Sequence, residues 1–247
     1  MSKRISHSLL DPIFSPPVKQ LHGALSIPST FPPEGIVLIG HLLAITAAVG
    51  FAFSADAWWG GVLVALGVTG NHIADILDGT HARATRQCRN GGELLDHFTD
   101  PLSFSYWLAG LAISCDCIEL GLVAVICLYA TAVLTNIKAK MIGEFTLARF
   151  GPTEFKALLV LYGVGLSLLT AGFAPIVSPQ TVATWFLVGL IAVGIVQLMV
   201  NLVRAVRDVN AYGLAPDVSE WETNRPPSRK QSTQPRHAVL TNRRTLP

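Results

Sequence analysis

Six long runs of mostly apolar residues alternate with short polar connections along this chain: Ile36 to Ser54, Trp58 to about Arg83, Leu94 to about Ser114, Ile118 to about Ile137, Phe155 to about Phe173, and Thr184 to Val206. At 1.5 Å of rise per helical residue, a run of about 20 residues crosses a hydrocarbon core of about 30 Å. The pattern therefore predicts an all-α, polytopic membrane protein with six transmembrane helices. Before the first run, residues 1 to 33 mix Leu9, Leu10, Ile13, Phe14, Leu21 and Leu25 with prolines and charges. That mixture suits either a broken amphipathic segment on the membrane surface or a flexible leader. A helical domain over 34 to 213 follows. From about Leu214 the chain turns polar, with Pro226, Pro227, Arg229, Lys230, Pro235, Arg243 and Arg244, which predicts a flexible basic tail to residue 247.

Composition strengthens the membrane reading: 51% of the 247 residues are hydrophobic and 14% charged, and mean hydropathy is +0.48 despite two polar ends. The placement of basic residues adds an orientation. Three precede the first run, three lie between the second and third, four run from Lys138 to Lys156, and eight follow from Arg204, which accounts for all 18. The alternate connections carry Asp56, Asp116 and Glu119 without a positive charge. Basic residues near helix ends stay cytoplasmic, so both termini and the second-to-third connection are expected in the cytoplasm. The opening MSKRISHSLLDPIFSPP has no unbroken apolar core before Asp11 and Pro12, so the first long run is expected to act as its own insertion signal. Cys88, Cys115, Cys117 and Cys127 form no C-x-x-C pair, and no feature asks for a nucleic-acid partner.

Against this apolar background, ADILDGTHARATRQCRNGGELLDHFTDP (74 to 101) places charge where charge is costly. About 17 residues from Trp58 to Asp75 cover roughly 26 Å, which sets Asp75 and Asp78 near the cytoplasmic edge of the second span. At about 100° per residue, Asp75, Asp78, Gly79 and Ala82 share one face, with Arg83 at its margin and Asn71 one turn below. On the third span Gly92, Asp96 and Asp100 form a second stripe at comparable depth. Two antiparallel helices joined by a short connection are neighbours, so both stripes are expected to point into one cytoplasm-facing polar cavity. Four carboxylates there require compensating positive charge. Aspartate oxygens without a His or Cys set favour hard divalent cations, Mg2+ or Mn2+, and four ligands suit a pair of ions of the kind found at phosphoryl-transfer sites. The small residues either leave room for a substrate or allow close helix packing. Arg83 either holds a phosphate or marks the membrane boundary.

Together, Asp75, Asp78, Gly79, Ala82, Arg83, Gly92, Asp96 and Asp100 reproduce D-x2-D-G-x2-A-R-x8-G-x3-D-x3-D. The chain thereby resembles the CDP-alcohol phosphotransferase family. That resemblance implies a magnesium-dependent membrane enzyme of phospholipid synthesis that joins an alcohol to a CDP-linked donor and releases CMP. It implies further that the four aspartates bind two divalent ions and that Asp100 is the general base. Gly79, Ala82 and Gly92 would shape the cytidine site, and Arg83 would support the donor phosphates. Relatives of this kind are often dimers, which leaves a homodimer among the expectations. In place of the P-N-x-x-T-like segment of many relatives, PPEGIVLIG puts Glu34 and Val37 where Asn and Thr would stand, so nucleotide contacts from that segment are in doubt.

The segment GGELLDHFTD looks like its counterpart in choline and ethanolamine phosphotransferases. The first expectation is therefore transfer of phosphoethanolamine or phosphocholine from CDP-ethanolamine or CDP-choline to diacylglycerol. The alternative is phosphatidyl transfer from CDP-diacylglycerol to a soluble alcohol such as glycerol phosphate, inositol or serine. A phosphorylated acceptor would need basic groups, for which Lys138, Lys140, Arg149 and Lys156 are the candidates on the cytoplasmic side. Lys156, like Glu154, either borders an acceptor pocket or belongs to the helix end, where a lysine snorkels. His97 and His72 either tune the site or pack against neighbours; His41 reads as a core residue. A divalent-cation transporter would continue its polar lining across the bilayer, whereas WWGGVLVALGV and LSFSYWLAGLA turn apolar away from the aspartates.

Overall fold

The computed structural model describes residues 3–6, 8–147, 151–173, 177–215 and 218, with side chains from residue 8 onward except at 145–147. Seven helices dominate the described residues: α1 (Asp11–Leu25), α2 (Pro33–Ala52), α3 (Trp58–Thr85), α4 (Asn90–Ser114), α5 (Ile118–Ile142), α6 (Pro152–Thr170) and α7 (Pro179–Tyr212). The last six follow the six predicted runs. Three of them start earlier than the hydrophobic pattern suggested because Pro33, Pro152 and Pro179 sit in the first turn, where a missing N–H costs nothing and the fixed φ suits the helix. Outside the helical plan, β1 (Lys3–Ser6) and β2 (Glu144–Leu147) form a short parallel pair in the register Lys3↔Glu144 to Ser6↔Leu147. The predicted basic tail and Arg149 lie almost wholly outside the described residues.

Five helices, α2, α3, α5, α6 and α7, are long and apolar enough to cross a membrane. α4 is 25 residues long but carries Glu93, Asp96 and Asp100 in its first three turns. Large apolar side chains face outward on the other helices, among them Leu38, Leu42 and Ile45 on α2, Leu122 and Ile126 on α5, and Val196 and Val203 on α7. A helix apolar outside as well as inside belongs in lipid.

Inside, α2 packs against α3 and α4, α3 against α6, α4 against α5, and α5 against α7. The core is built on Ala44, Ala47, Phe51, Val64, Val68, Trp107, Leu111, Leu159, Leu166 and Leu187. The buried Trp107 indole donates to the Ala44 carbonyl at 2.9 Å, tying α4 to α2. Small residues set the α3/α6 crossing: a Cβ on Gly61 would collide with the Gly163 carbonyl and Ser167, and one on Gly163 would lie 2.7 Å from Val64 Cγ1. That close approach holds α6 against the face of α3 that carries Asp75 further along.

Where the sequence left open a broken amphipathic segment or a flexible leader, α1 is one continuous helix through Pro16 and Pro17, and none of its residues is buried. Glu154 at the start of α6 anchors its entry: one carboxylate oxygen accepts from Ser8 Oγ at 2.6 Å, Leu9 N at 2.8 Å and Leu10 N at 3.2 Å. Thr153 donates to the Asp11 carboxylate. Farther along, His22 Nε2 meets Nδ1 of the fully buried His81 at 3.0 Å, and His81 Nε2 lies 2.9 Å from the Phe31 carbonyl.

Candidate functional site

Asp75 and Asp78 stand one turn apart on α3, and Asp96 and Asp100 one turn apart on α4. All four line one cleft of about 280 Å³, counting the solvent at its mouth, together with Val37, Gly40, His41, Asn71, Ala74, Thr99 and Ser103. The aspartates of both stripes thus line one cleft. One oxygen each from Asp75, Asp96 and Asp100 lie within 4.8 Å of one another. At an Mg–O distance of about 2.1 Å, oxygens on one octahedral Mg2+ are about 3.0 Å apart when cis and about 4.2 Å when trans, so these carboxylates close by up to about 1.8 Å to share an ion. Asp78 lies in the same cleft, but one of its oxygens accepts from the Gly79 backbone N–H and stands outside that trio.

A cation already sits among them. Lys156, on the second turn of α6, has a side chain only 2% exposed; its Nζ lies 2.9 Å from Asp75 Oδ2 and 3.4 Å from Asp100 Oδ1. It also stands 5.6 Å from the Phe104 ring centroid. The lysine thus bridges α3 and α4 from a third helix. Beneath it Asn71, 6% exposed, donates from Nδ2 to the Gly40 carbonyl at 3.1 Å. Its Oδ1 is buried with no hydrogen-bond partner among the described residues, as are both ring nitrogens of His72. A buried amide oxygen without a donor is a costly arrangement that a bound ion or its water would relieve. Hard oxygen donors and an unused neutral oxygen fit a divalent cation such as Mg2+ or Mn2+.

Gly79, Ala82, Arg83 and Gly92 do not line the cleft. Arg83 is exposed and folds along its own helix, its Nη1 3.2 Å from where a Cβ on Gly79 would stand. A Cβ on Gly92 would meet nothing within 4 Å, so that position opens to space. Lys138 pairs with Asp208 of α7 at 2.5 Å. His97 Nε2 lies 3.9 Å from Glu93 Oε1, and His41 Nδ1 lies 3.4 Å from Ser103 Oγ.

Sequence reasoning named Lys156 and Glu154 without assigning either to the site or to the α1 anchor, and it passed over Asn71 as a possible ligand. A lysine at the second position of the apolar run that opens at Phe155 was the available signal. Its depth relative to Asp75 depends on the α3/α6 crossing, which periodicity does not supply.

Residues 32–196, from the start of α2 to the middle of α7, match the model of a family described as CDP-alcohol phosphatidyltransferase. A phosphatidylinositol phosphate synthase of Mycolicibacterium smegmatis is 31% identical over 179 residues, covering 71% of this chain and 77% of that protein.

Proposed function

The chain belongs to the CDP-alcohol phosphatidyltransferase family, and on that premise we propose that it transfers a phosphatidyl group from CDP-diacylglycerol to a soluble polar alcohol, releasing CMP. Inositol phosphate and glycerol phosphate are the first acceptors to consider. The observation that carries the reading is the convergence of carboxylate oxygens from two helices within 4.8 Å in an open cleft. The choice of donor rests on the mycobacterial relative, named for a phosphatidylinositol phosphate. The choline- and ethanolamine-like look of GGELLDHFTD yields to it, because the four-aspartate core serves either acceptor class and the residues between the aspartates face partly away from the cleft: Leu94 and Phe98 are exposed.

Asp75, Asp78, Asp96 and Asp100 would hold two divalent cations, which supply charge neutralisation for the diphosphate and for the departing CMP. Asp100, with one oxygen near Lys156 and the other unassigned, takes the proton of the acceptor hydroxyl. The acceptor oxygen then forms the new bond to the phosphatidyl phosphorus as the bond to the CMP oxygen breaks. Gly79, Ala82 and Gly92 leave space at the mouth for the nucleotide, and Arg83 reaches its phosphates. The basic connection between α3 and α4 supports a mouth on the cytoplasmic side.

Radiolabelled CDP-diacylglycerol, CDP-ethanolamine and CDP-choline, offered in turn with Mg2+ and with soluble alcohols or diacylglycerol, test the assignment. The expected result is CMP release and a phosphatidyl product from CDP-diacylglycerol alone. Labelled phosphatidylethanolamine or phosphatidylcholine from the other donors would overturn it.

A further inference from the structure

Lys156 carries a buried charge to which the steps above give no role. Its ammonium, almost fully buried, lies 2.9 Å from Asp75 and 3.4 Å from Asp100, side chains from two different helices that both belong to the carboxylate trio. It reaches them from α6, over the ring of the buried Phe104, so it is built into the core and does not reach in from the surface. Thr153 and Glu154, one turn earlier, pin this end of α6 to the chain entering α1, and the Gly61/Gly163 contact fixes its crossing.

Carboxylates brought together in a low-dielectric cleft repel, and a buried ammonium survives only beside partners. Each therefore makes the other tolerable in the ion-free protein. The same proximity opposes any divalent cation on Asp75 or Asp100, since an ammonium and a divalent ion on shared carboxylates are like charges a few ångströms apart. Four aspartates and two divalent cations would balance formally; adding Lys156 leaves an excess positive charge, which an anionic nucleotide diphosphate offsets.

We propose that Lys156 is a tethered counter-ion, a positioning residue that holds Asp75 and Asp100 together in the empty site and weakens divalent-cation binding until an anionic donor arrives. The inference rests on the metal-site reading above. It makes occupancy by cations and donor mutually supportive, because each supplies the charge the other lacks.

Mn2+ affinity of the full-length protein in detergent, measured by electron paramagnetic resonance of free Mn2+ with and without a CDP donor, gives the test. K156M and K156Q should bind Mn2+ without donor on the order of tenfold more tightly than wild type, and the gain in affinity on adding donor should shrink. K156R, which keeps the charge, should stay near wild type, and it remains informative if K156M does not fold. A thermal scan should show K156Q less stable than wild type without metal and more strongly stabilised by Mn2+. A merely structural lysine would lower stability and leave Mn2+ affinity unchanged or weaker, which would overturn the assignment to Lys156 alone. Absence of Mn2+ binding by wild type, with or without donor, would instead remove the metal site and this inference with it.

Discussion

In the proposed reaction Asp100 and Lys156 divide the work of the cleft between proton transfer and charge balance. Replacing Asp100 with Asn keeps an oxygen in place and the fold intact but removes the base, so CMP release should fall by about 10²–10⁴-fold while Mn2+ still binds. Turnover close to wild type in purified membranes would remove the base assignment. Asp75, Asp78, Asp96 and Asp100 were legible in the chain because helical periodicity alone puts i, i+3 and i, i+4 pairs on one face. The partner of Asp75 was not, since Lys156 is 81 residues away and meets it through a crossing no local pattern encodes. Asn71 was legible in position, one turn below Asp75; the lack of a donor for its Oδ1 is a property of the packed neighbourhood.

At the scale of elements, the glycines at the α3/α6 contact decide whether that meeting occurs. Gly61→Leu would insert a branched side chain where even a Cβ collides with the Gly163 carbonyl. Overpacking of this kind typically costs about 1–3 kcal/mol, and here it would also shift the helix that carries Lys156. The melting temperature should drop and CMP release fall in the remaining folded protein; an unchanged melting temperature would refute the tight crossing. Element existence followed from apolar run length, which is why all six runs became helices. Their starts did not, because Pro33, Pro152 and Pro179 precede the apolar runs yet occupy the first helical turn. α1 runs on through Pro16 and Pro17, which lie past its first turn and forfeit the bond to the residue four earlier, while Glu154 fastens its entry.

For the molecule as a whole, the segregation of basic residues is the ground for the proposed cytoplasmic opening of the cleft. Cys88 is exposed in the connection between α3 and α4, whereas Cys115 and Cys127 are buried. With the other three cysteines replaced by alanine, Cys88 should resist a membrane-impermeant maleimide in intact cells and react once the membrane is opened. Labelling in intact cells would invert the orientation. The family follows from residues 32–196, but the account itself stands on ions gathered between α3 and α4. Diffraction from crystals soaked in Mn2+, with an anomalous map, tests this most directly. The account predicts peaks in contact with the carboxylates of Asp75, Asp96 and Asp100, at about 2.1–2.3 Å from their oxygens. A map without Mn2+ between those helices, in protein that still releases CMP, would contradict it.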